Sequence, residues 1–318
     1  MEKCLYCYQP LGPGEVDFHP ACARKMFGRA DAPELPYTRE NMSDLAKQVI
    51  RTSASVTGVQ AKLSLDIDKG HRNEPDRFTI VGLWGNYIFK PQSSSYPSLP
   101  ELEDLTMKMA AVAGIKTARH SLIRLADGEL GYITVRMDRG KKGEKFSMLD
   151  MCQLTNRLTE HKYMGTYLQL AETIRKYSSA AMLDVQKFWE VVLFSWITGN
   201  SDMHCKNFSL LNRNDGKGYL LSPAYDLLAV LLADPSDNDE LALPISAGEG
   251  TSGLTRESFT RAFEASGIPP KVYEKMIVKM VSHQAEWENL IERSFLSVDM
   301  KEKYIHLIRF RLEVLSSK

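Results

Sequence analysis

The run Gly199-Asn200-Ser201-Asp202-Met203-His204-Cys205-Lys206-Asn207-Phe208 carries the densest chemistry in the sequence. Phosphoryl transfer to a hydroxyl needs an aspartate that orients the nucleophile and accepts its proton. In kinase catalytic loops an asparagine follows after four intervening residues and holds Mg²⁺. Asp202 and Asn207 stand at that spacing. A second metal-binding carboxylate is then required, and Asp226, within Ser222-Pro223-Ala224-Tyr225-Asp226, is expected at the end of the strand that returns from a hairpin. Taken singly, each aspartate is as well explained as a turn or helix-cap residue. The ordered set of Asp, Asn, hairpin and Asp argues for chemistry.

A nucleotide also needs a close-approaching backbone loop and a cation. Ser55-Val56-Thr57-Gly58-Val59-Gln60-Ala61-Lys62 offers the loop, although one glycine is a weak phosphate signal. Lys90, at the end of a predicted strand, offers the cation for the α- and β-phosphates, with Lys62 as a second. A strand-end lysine standing alone would read as a solvated side chain.

A separate constellation opens the chain. Cys4-Leu5-Tyr6-Cys7 and His19-Pro20-Ala21-Cys22 supply two ligand pairs, each with a two-residue gap. Such pairs wrap one tetrahedral Zn²⁺, and a loop-rich segment with little core gains folding energy from the metal. Packed free thiols beside a surface histidine are the rival reading. Zinc here would be structural, because four protein ligands leave no open position for water. Cys152 and Cys205 have no partners at ligand spacing and receive no role.

The elements that must hold these residues can be read in outline. A Cys/His segment spans 1–36, a small nucleotide-binding lobe 37–139 and a helical catalytic lobe 140–318. A short helical pattern runs over 43–51, and strands are expected over 62–67, 78–81, 86–89, 121–125 and 131–135. A helix over 99–113 ends at Gly114. After Phe146 the character turns helical, with Ser147 as an N-cap, then helices over 164–177 and 183–198, a hairpin over 207–221, and helices from Thr255 onward broken at Pro269-Pro270. Phe188, Trp189, Val192 and Trp196 lie at helical spacing and are expected in the core. The acidic stretch 234–240 reads by default as a solvated loop. The fold class expected is α+β, bilobal and protein-kinase-like.

Composition bounds the function. With 43% hydrophobic residues in 318, there is enough apolar material for a sizeable core. Forty basic residues balance forty acidic ones, so no whole-chain field draws it to nucleic acid or an anionic membrane. No apolar run reaches bilayer length and no signal-peptide segment follows Met1, so a cytoplasmic location is expected. Five cysteines, an odd count, argue against a disulfide framework.

The segment from Ser55 to Lys62, Phe89-Lys90, Val135-Arg136-Met137-Asp138-Arg139, the Asp202 to Asn207 loop and Ala224-Tyr225-Asp226 together resemble, in order, the HipA family of toxin kinases. The resemblance runs from about residue 40 to the end and is most specific in the catalytic loop. It implies a remote kinase fold, the cofactors ATP and Mg²⁺, and phosphorylation of a serine or threonine in a protein target; known targets in the family are aminoacyl-tRNA synthetases. It implies Asp202 as catalytic base and Asn207 and Asp226 as Mg²⁺ ligands. His204, Lys206 and Tyr225 fall at nucleotide-contacting positions, and Lys90 at the ATP-binding lysine. Thr57, Gly58, Val59, Gln60 and Lys62 match the phosphate loop, and Arg136 and Met137 the adenine-facing hinge. Ser55 matches a serine whose autophosphorylation switches family members off, and Ser53 two residues earlier gives the pattern of the shorter HipT-type relatives.

The segment ahead of the phosphate loop is short and holds the Cys/His cluster where longer relatives carry an extra subdomain. That arrangement implies a HipS-like or HipB-like antitoxin partner, with DNA contacted only through it. Two other classes stay open on the residues alone: a small-molecule or lipid phosphotransferase, and a non-catalytic kinase-like binding module.

Overall fold

The computed structural model describes residues 2–42, 44, 62–70, 74–81, 85–140 and 143–317. The expected helix over 43–51, the phosphate-loop residues Thr57, Gly58, Val59 and Gln60, and Ser53 and Ser55 lie outside the described residues, apart from Asp44. The chain divides into two compact units. The first comprises residues 1–104, 118–136 and 293–295, and the second 105–117, 137–292 and 296–318.

The first unit opens with α1 (Pro20–Phe27). Proline at its first position costs no hydrogen bond, and Gly28 at φ 80° closes it, donating its N–H to the Arg24 carbonyl. An antiparallel sheet follows, built from β1 (Leu63–Asp68), β2 (Arg77–Ile80), β3 (Tyr87–Lys90), β4 (His120–Arg124) and β5 (Leu130–Val135) in the order β2-β1-β3-β5-β4. Leu63 and Leu65 alternate with half-buried Ser64 and Asp66, as a pleated strand with one core face requires. Register places Phe89 opposite Leu63 and Ile133, and Lys90 opposite Tyr132. The α1 residue Phe27 packs edge-on to Phe78 at 5.9 Å, which ties the Cys/His segment to the sheet.

Between β3 and β4 lies α2 (Leu99–Val112), whose first residues, through Asp104, count with the first unit. Gly114, at φ 75°, follows its end as expected.

The second unit holds a three-stranded antiparallel sheet of β6 (Ser147–Asp150), β7 (Ser209–Asn212) and β8 (Leu220–Leu221), with Leu149 opposite Leu210 and Leu210 opposite Leu221. Here the structure corrects the sequence reading: Ser147 is the first residue of a strand, paired with Asn212, and caps no helix. The cap is Asp150, which closes a capping box with Gln153 at the start of α3 (Met151–Leu154). Next come α4 (Tyr167–Tyr177), capped by Thr166, and α5 (Ala181–Ile197). The chain then runs through α6 (Val230–Ala233), α7 (Arg256–Ala265), α8 (Pro270–Ser282), α9 (Gln284–Arg293, ending in the first unit) and α10 (Val298–Ser316).

Helix α5 is the centre of this unit. Phe188, Trp189, Val192 and Trp196 are all fully buried, as expected. Trp189 meets Phe263 at 5.7 Å and Trp196 meets Phe259 at 5.2 Å. Both indole N–H groups find partners, Trp189 on Ser266 Oγ at 2.7 Å and Trp196 on Glu240 Oε2 at 2.9 Å, so burying these two rings strands neither of their donors. No helix among the described residues is long and apolar enough to cross a membrane.

Candidate active site

The loop that carries Asp202 begins where α5 stops. Gly199, at φ 70°, takes the left-handed conformation that ends the helix. The Asn200 N–H then reaches the Ser195 carbonyl at 2.8 Å and the Gly199 N–H the Trp196 carbonyl at 3.3 Å, which is the Schellman pattern. A Cβ at Gly199 would stand 2.7 Å from the Leu307 Cδ2 methyl, which would have to shift, but it is the positive φ that favours glycine here.

Within the loop, buried anchors alternate with half-buried polar groups. Met203 and Cys205 are fully buried, whereas Asp202 and Lys206 are half-buried. The Met203 carbonyl accepts from Tyr167 Oη at 2.9 Å, and the Cys205 N–H donates to the Lys162 carbonyl at 3.1 Å. Cys205, to which the sequence assigned no role, is an anchor of the loop. The Asn207 side-chain amide donates to the Asp202 carbonyl at 3.0 Å, and the His204 N–H reaches the same carbonyl at 2.8 Å. The D-x4-N spacing thus closes on itself as a compact turn.

The Asp202 carboxylate accepts a hydrogen bond from Tyr163 Oη at 2.6 Å. Burial and this contact raise the Tyr163 pKa, so the phenol stays a donor. Sequence reasoning missed Tyr163, which lies 39 residues upstream with no motif of its own. Beside it, Tyr163 packs edge-on against His204 at 5.1 Å. Burial pushes the His204 pKa down to about 4 against the opposing attraction of Asp202, and the ring is neutral near pH 7. His204 Nδ1 is buried without a hydrogen-bond partner among the described residues. A buried polar atom of this kind in a charged site fits a group that arrives with a ligand.

Lys206 pairs with Asp150 Oδ2 at 2.7 Å, so the residue that caps α3 also fixes the loop lysine. Tyr225 Oη donates to the Lys206 carbonyl at 2.8 Å and lies 2.6 Å from Ser209 Oγ. Asp226 follows at φ 55°, a left-handed position that aspartate tolerates better than most residues. Asp226 does not end the returning strand as expected: β8 stops at Leu221, and the chain makes a bridge between Ala224 and Thr117 before Asp226. The acidic stretch 234–240 is also not simply solvated. Asp237 accepts from Ser201 Oγ at 2.5 Å, and Glu240 binds Arg311 at 2.7 Å as well as Trp196. Burial alone would raise the Glu240 pKa, yet the hydrogen bonds from Trp196, the Leu254 N–H and Arg311 bring it below the usual range.

The first unit presents its own charged group. Lys90 is 4% exposed and donates to both oxygens of Glu103, at 2.6 and 2.7 Å. Its Nζ also lies 5.3 Å from the Tyr132 ring centroid. Removing one partner from such a buried pair costs about 3–5 kcal/mol, so the pair fixes the lysine firmly. Glu103 was not singled out in the sequence. Lys62 is exposed, next to β1. The boundary between the units falls between half-buried Arg136, whose N–H donates to the Asn86 carbonyl, and Met137.

The four soft ligands at the start of the chain do converge. One ligand atom each from Cys4, Cys7, His19 and Cys22 lies within 4.8 Å of the others. His19 Nδ1 is 3.4 Å from Cys7 Sγ and 3.7 Å from Cys22 Sγ. Its Nε2 lies 3.0 Å from the Pro10 carbonyl, the partner that would orient the ring and leave Nδ1 as the metal-facing atom. Three sulfurs and one imidazole nitrogen at this separation are the donor set of a structural Zn²⁺ site.

With this geometry in hand, comparison with known proteins is specific. The model of the HipA-like C-terminal domain matches residues 54–287. A Haemophilus influenzae protein named "Putative kinase" is 25% identical over 309 residues, covering 89% of this chain and 88% of that protein. A Sinorhizobium fredii protein, Y4mE, of the same description is 27% identical over 240 residues, and the chain spans only 55% of its length. Among solved structures, HipA of Shewanella oneidensis, determined with HipB and operator DNA, superposes with a TM-score of 0.66 at 19% identity, over 97% of this chain and 82% of that one. The Helicobacter pylori proinflammatory kinase CtkA gives 0.52 at 13% identity, over 79% of this chain and 94% of its own. These likenesses establish a kinase-like fold, and the match over most of its length establishes that this chain belongs to the HipA-like C-terminal domain family.

Proposed function

We propose that the chain is an ATP- and Mg²⁺-dependent serine/threonine protein kinase that acts as the toxin of a type II toxin–antitoxin pair. The observation that carries this reading is the 200–207 turn, in which Asn207 is bonded to the Asp202 backbone and Tyr163 fixes the Asp202 carboxylate by one oxygen. Held in this way, Asp202 orients an acceptor hydroxyl and takes its proton. Asn207 and Asp226 hold Mg²⁺, which when bound neutralises charge on the transferring phosphoryl group. His204, Lys206 and Tyr225 are the nucleotide-contacting groups of the catalytic lobe, 140–318. The small lobe, 37–139, contributes Lys90 for the α- and β-phosphates, the loop Thr57, Gly58, Val59, Gln60 and Lys62, and the Arg136-Met137 hinge. Cys4, Cys7, His19 and Cys22 hold a structural Zn²⁺, supported by the convergence of their ligand atoms.

The target is a translation factor such as an aminoacyl-tRNA synthetase, and autophosphorylation falls on Ser53 or Ser55. The likeness to a HipA solved with HipB and operator DNA supports an antitoxin partner, HipB-like or HipS-like, through which DNA is contacted indirectly.

The test is to incubate dephosphorylated protein with Mg²⁺-ATP and map phosphate by mass spectrometry. Phosphate on Ser53 or Ser55, formed about 10²–10⁴-fold more slowly by Asp202→Asn, is the expected result. Equal labelling of the two proteins contradicts the assignment of Asp202. Labelling of a soluble alcohol in place of the chain points instead to a small-molecule phosphotransferase.

A further inference from the structure

The Cys/His segment lies outside the residues matched by the family model, and the kinase reading gives it no chemistry of its own. Its contacts run straight to the buried lysine. Tyr8 follows Cys7 and sits at φ 64°, a conformation that side-chain-bearing residues rarely adopt. Hydrogen bonds from the Tyr8 N–H to the Cys4 carbonyl and from the Cys4 N–H to the Gln9 carbonyl, both 2.9 Å, close the turn that carries the two thiols. That turn aims the Tyr8 ring inward. The ring is 1% exposed and packs edge-on to Phe295 at 5.3 Å.

The Tyr8 hydroxyl donates to Asp104 Oδ2 at 2.6 Å. The other oxygen of Asp104 lies 2.7 Å from His120 Nδ1. Asp104 adjoins Glu103 on α2, and Glu103 clamps Lys90 with both oxygens. Lys90 stands opposite Tyr132 in the sheet, and the Tyr132 ring stacks on His120 at 5.8 Å. The circuit from Tyr8 through Asp104 and Glu103 to Lys90, and back through Tyr132 and His120 to Asp104, lies entirely within the first unit. Asp104, Glu103 and Lys90 are all buried, so a shift of the α2 start cannot be absorbed by solvent.

We propose that Zn²⁺ bound by Cys4, Cys7, His19 and Cys22 positions the nucleotide lysine Lys90, with Tyr8 as the positioning residue that transmits metal occupancy to the Asp104-Glu103 end of α2. This rests on the reading of Lys90 as a nucleotide-binding group. The metal makes no contact with nucleotide in this scheme. It holds the Cys4 to Cys7 turn in the shape that delivers the Tyr8 hydroxyl, and a turn released from metal has no other covalent restraint, since all the cysteines are free thiols. Metal and nucleotide are then coupled ligands, and each binds more tightly in the presence of the other.

The experiment uses the full chain prepared in zinc-supplemented medium, with metal content measured by plasma mass spectrometry. Amide hydrogen exchange over 99–104 and binding of a non-hydrolysable Mg²⁺-ATP analogue are followed for the wild type before and after chelation and for Tyr8→Phe. Phenylalanine keeps the ring packing and removes only the hydroxyl. The expected wild type holds one zinc per chain. Tyr8→Phe keeps that zinc, exchanges faster over 99–104 and binds the analogue about tenfold more weakly, and chelated wild type shows the same two changes. In a Glu103→Gln background, Tyr8→Phe adds little to the loss of affinity.

Absence of zinc from the wild type overturns the proposal. Unchanged exchange over 99–104 in both zinc-loaded Tyr8→Phe and chelated wild type also overturns it, and this readout does not depend on nucleotide. If the wild type binds no analogue in any state while exchange still responds to zinc, the metal-to-helix linkage stands and the kinase reading fails.

Discussion

His204 has a neutral ring in a charged loop because burial outweighs the pull of Asp202, and its pKa falls to about 4. The unfolded histidine titrates near 6.5, so between these values the unfolded chain binds the proton and the folded chain does not. The sign follows: this contribution to stability is fully present above about pH 6.5 and is lost as pH falls toward 4, by on the order of 3 kcal/mol. Urea midpoints measured without metal or nucleotide between pH 7 and 4.5 are therefore expected to fall more steeply for wild type than for His204→Gln. Parallel curves would show that other groups govern the loss. At this scale the sequence was legible where chemistry depends on local spacing. Asp202 and Asn207 are five apart, and the Asn207 side-chain amide closes the turn onto the Asp202 carbonyl. Glu103 was hidden because Glu101, Glu103 and Asp104 crowd the same turn, and only tertiary register decides which meets Lys90, which meets Tyr8 and His120, and which accepts from Gln92. Tyr163 was hidden for the same reason, since its contact with Asp202 is made by folding and not by spacing.

Elements showed how far periodicity carries. Helix α5 and the strands around Lys90 were readable because long or alternating patterns average over many residues. β6 is no shorter than β3 but buries none of its four residues, so it shows no apolar pattern, and Ser147 with Asp150 three residues on imitates a cap while the chain is pairing with β7. Asp150 does cap, one element later, and it also neutralises Lys206. Asp150→Asn keeps a good N-cap and removes the charge, whereas Asp150→Ala removes both. Thermal unfolding is expected to show Asp150→Ala less stable than Asp150→Asn by about 1 kcal/mol. Both variants should bind ATP more weakly than wild type if Lys206 needs its partner. Equal stability of the two variants would mean that the capping box carries none of the load.

At the scale of the whole chain, a sheet-rich first unit and a helical second unit each have their own buried core, and the order of elements was readable because strands precede helices with little interleaving. The family match extends from residue 54 to 287 and so includes Lys90 as well as Asp202, Asn207 and Asp226. Charge balance, forty against forty, gives no long-range field that would gather an anionic nucleotide, so affinity must come from placed groups. The central claim is that these groups together make a Mg²⁺-ATP site for phosphoryl transfer. Its most direct test is calorimetric titration of ATP into the dephosphorylated 318-residue chain with and without Mg²⁺, for wild type, Asp226→Asn and Asp202→Asn. The account predicts Mg²⁺-dependent binding by wild type, loss of that dependence in Asp226→Asn, and retained binding by Asp202→Asn. Binding that ignores Mg²⁺ in the wild type, or no binding at all, would contradict it.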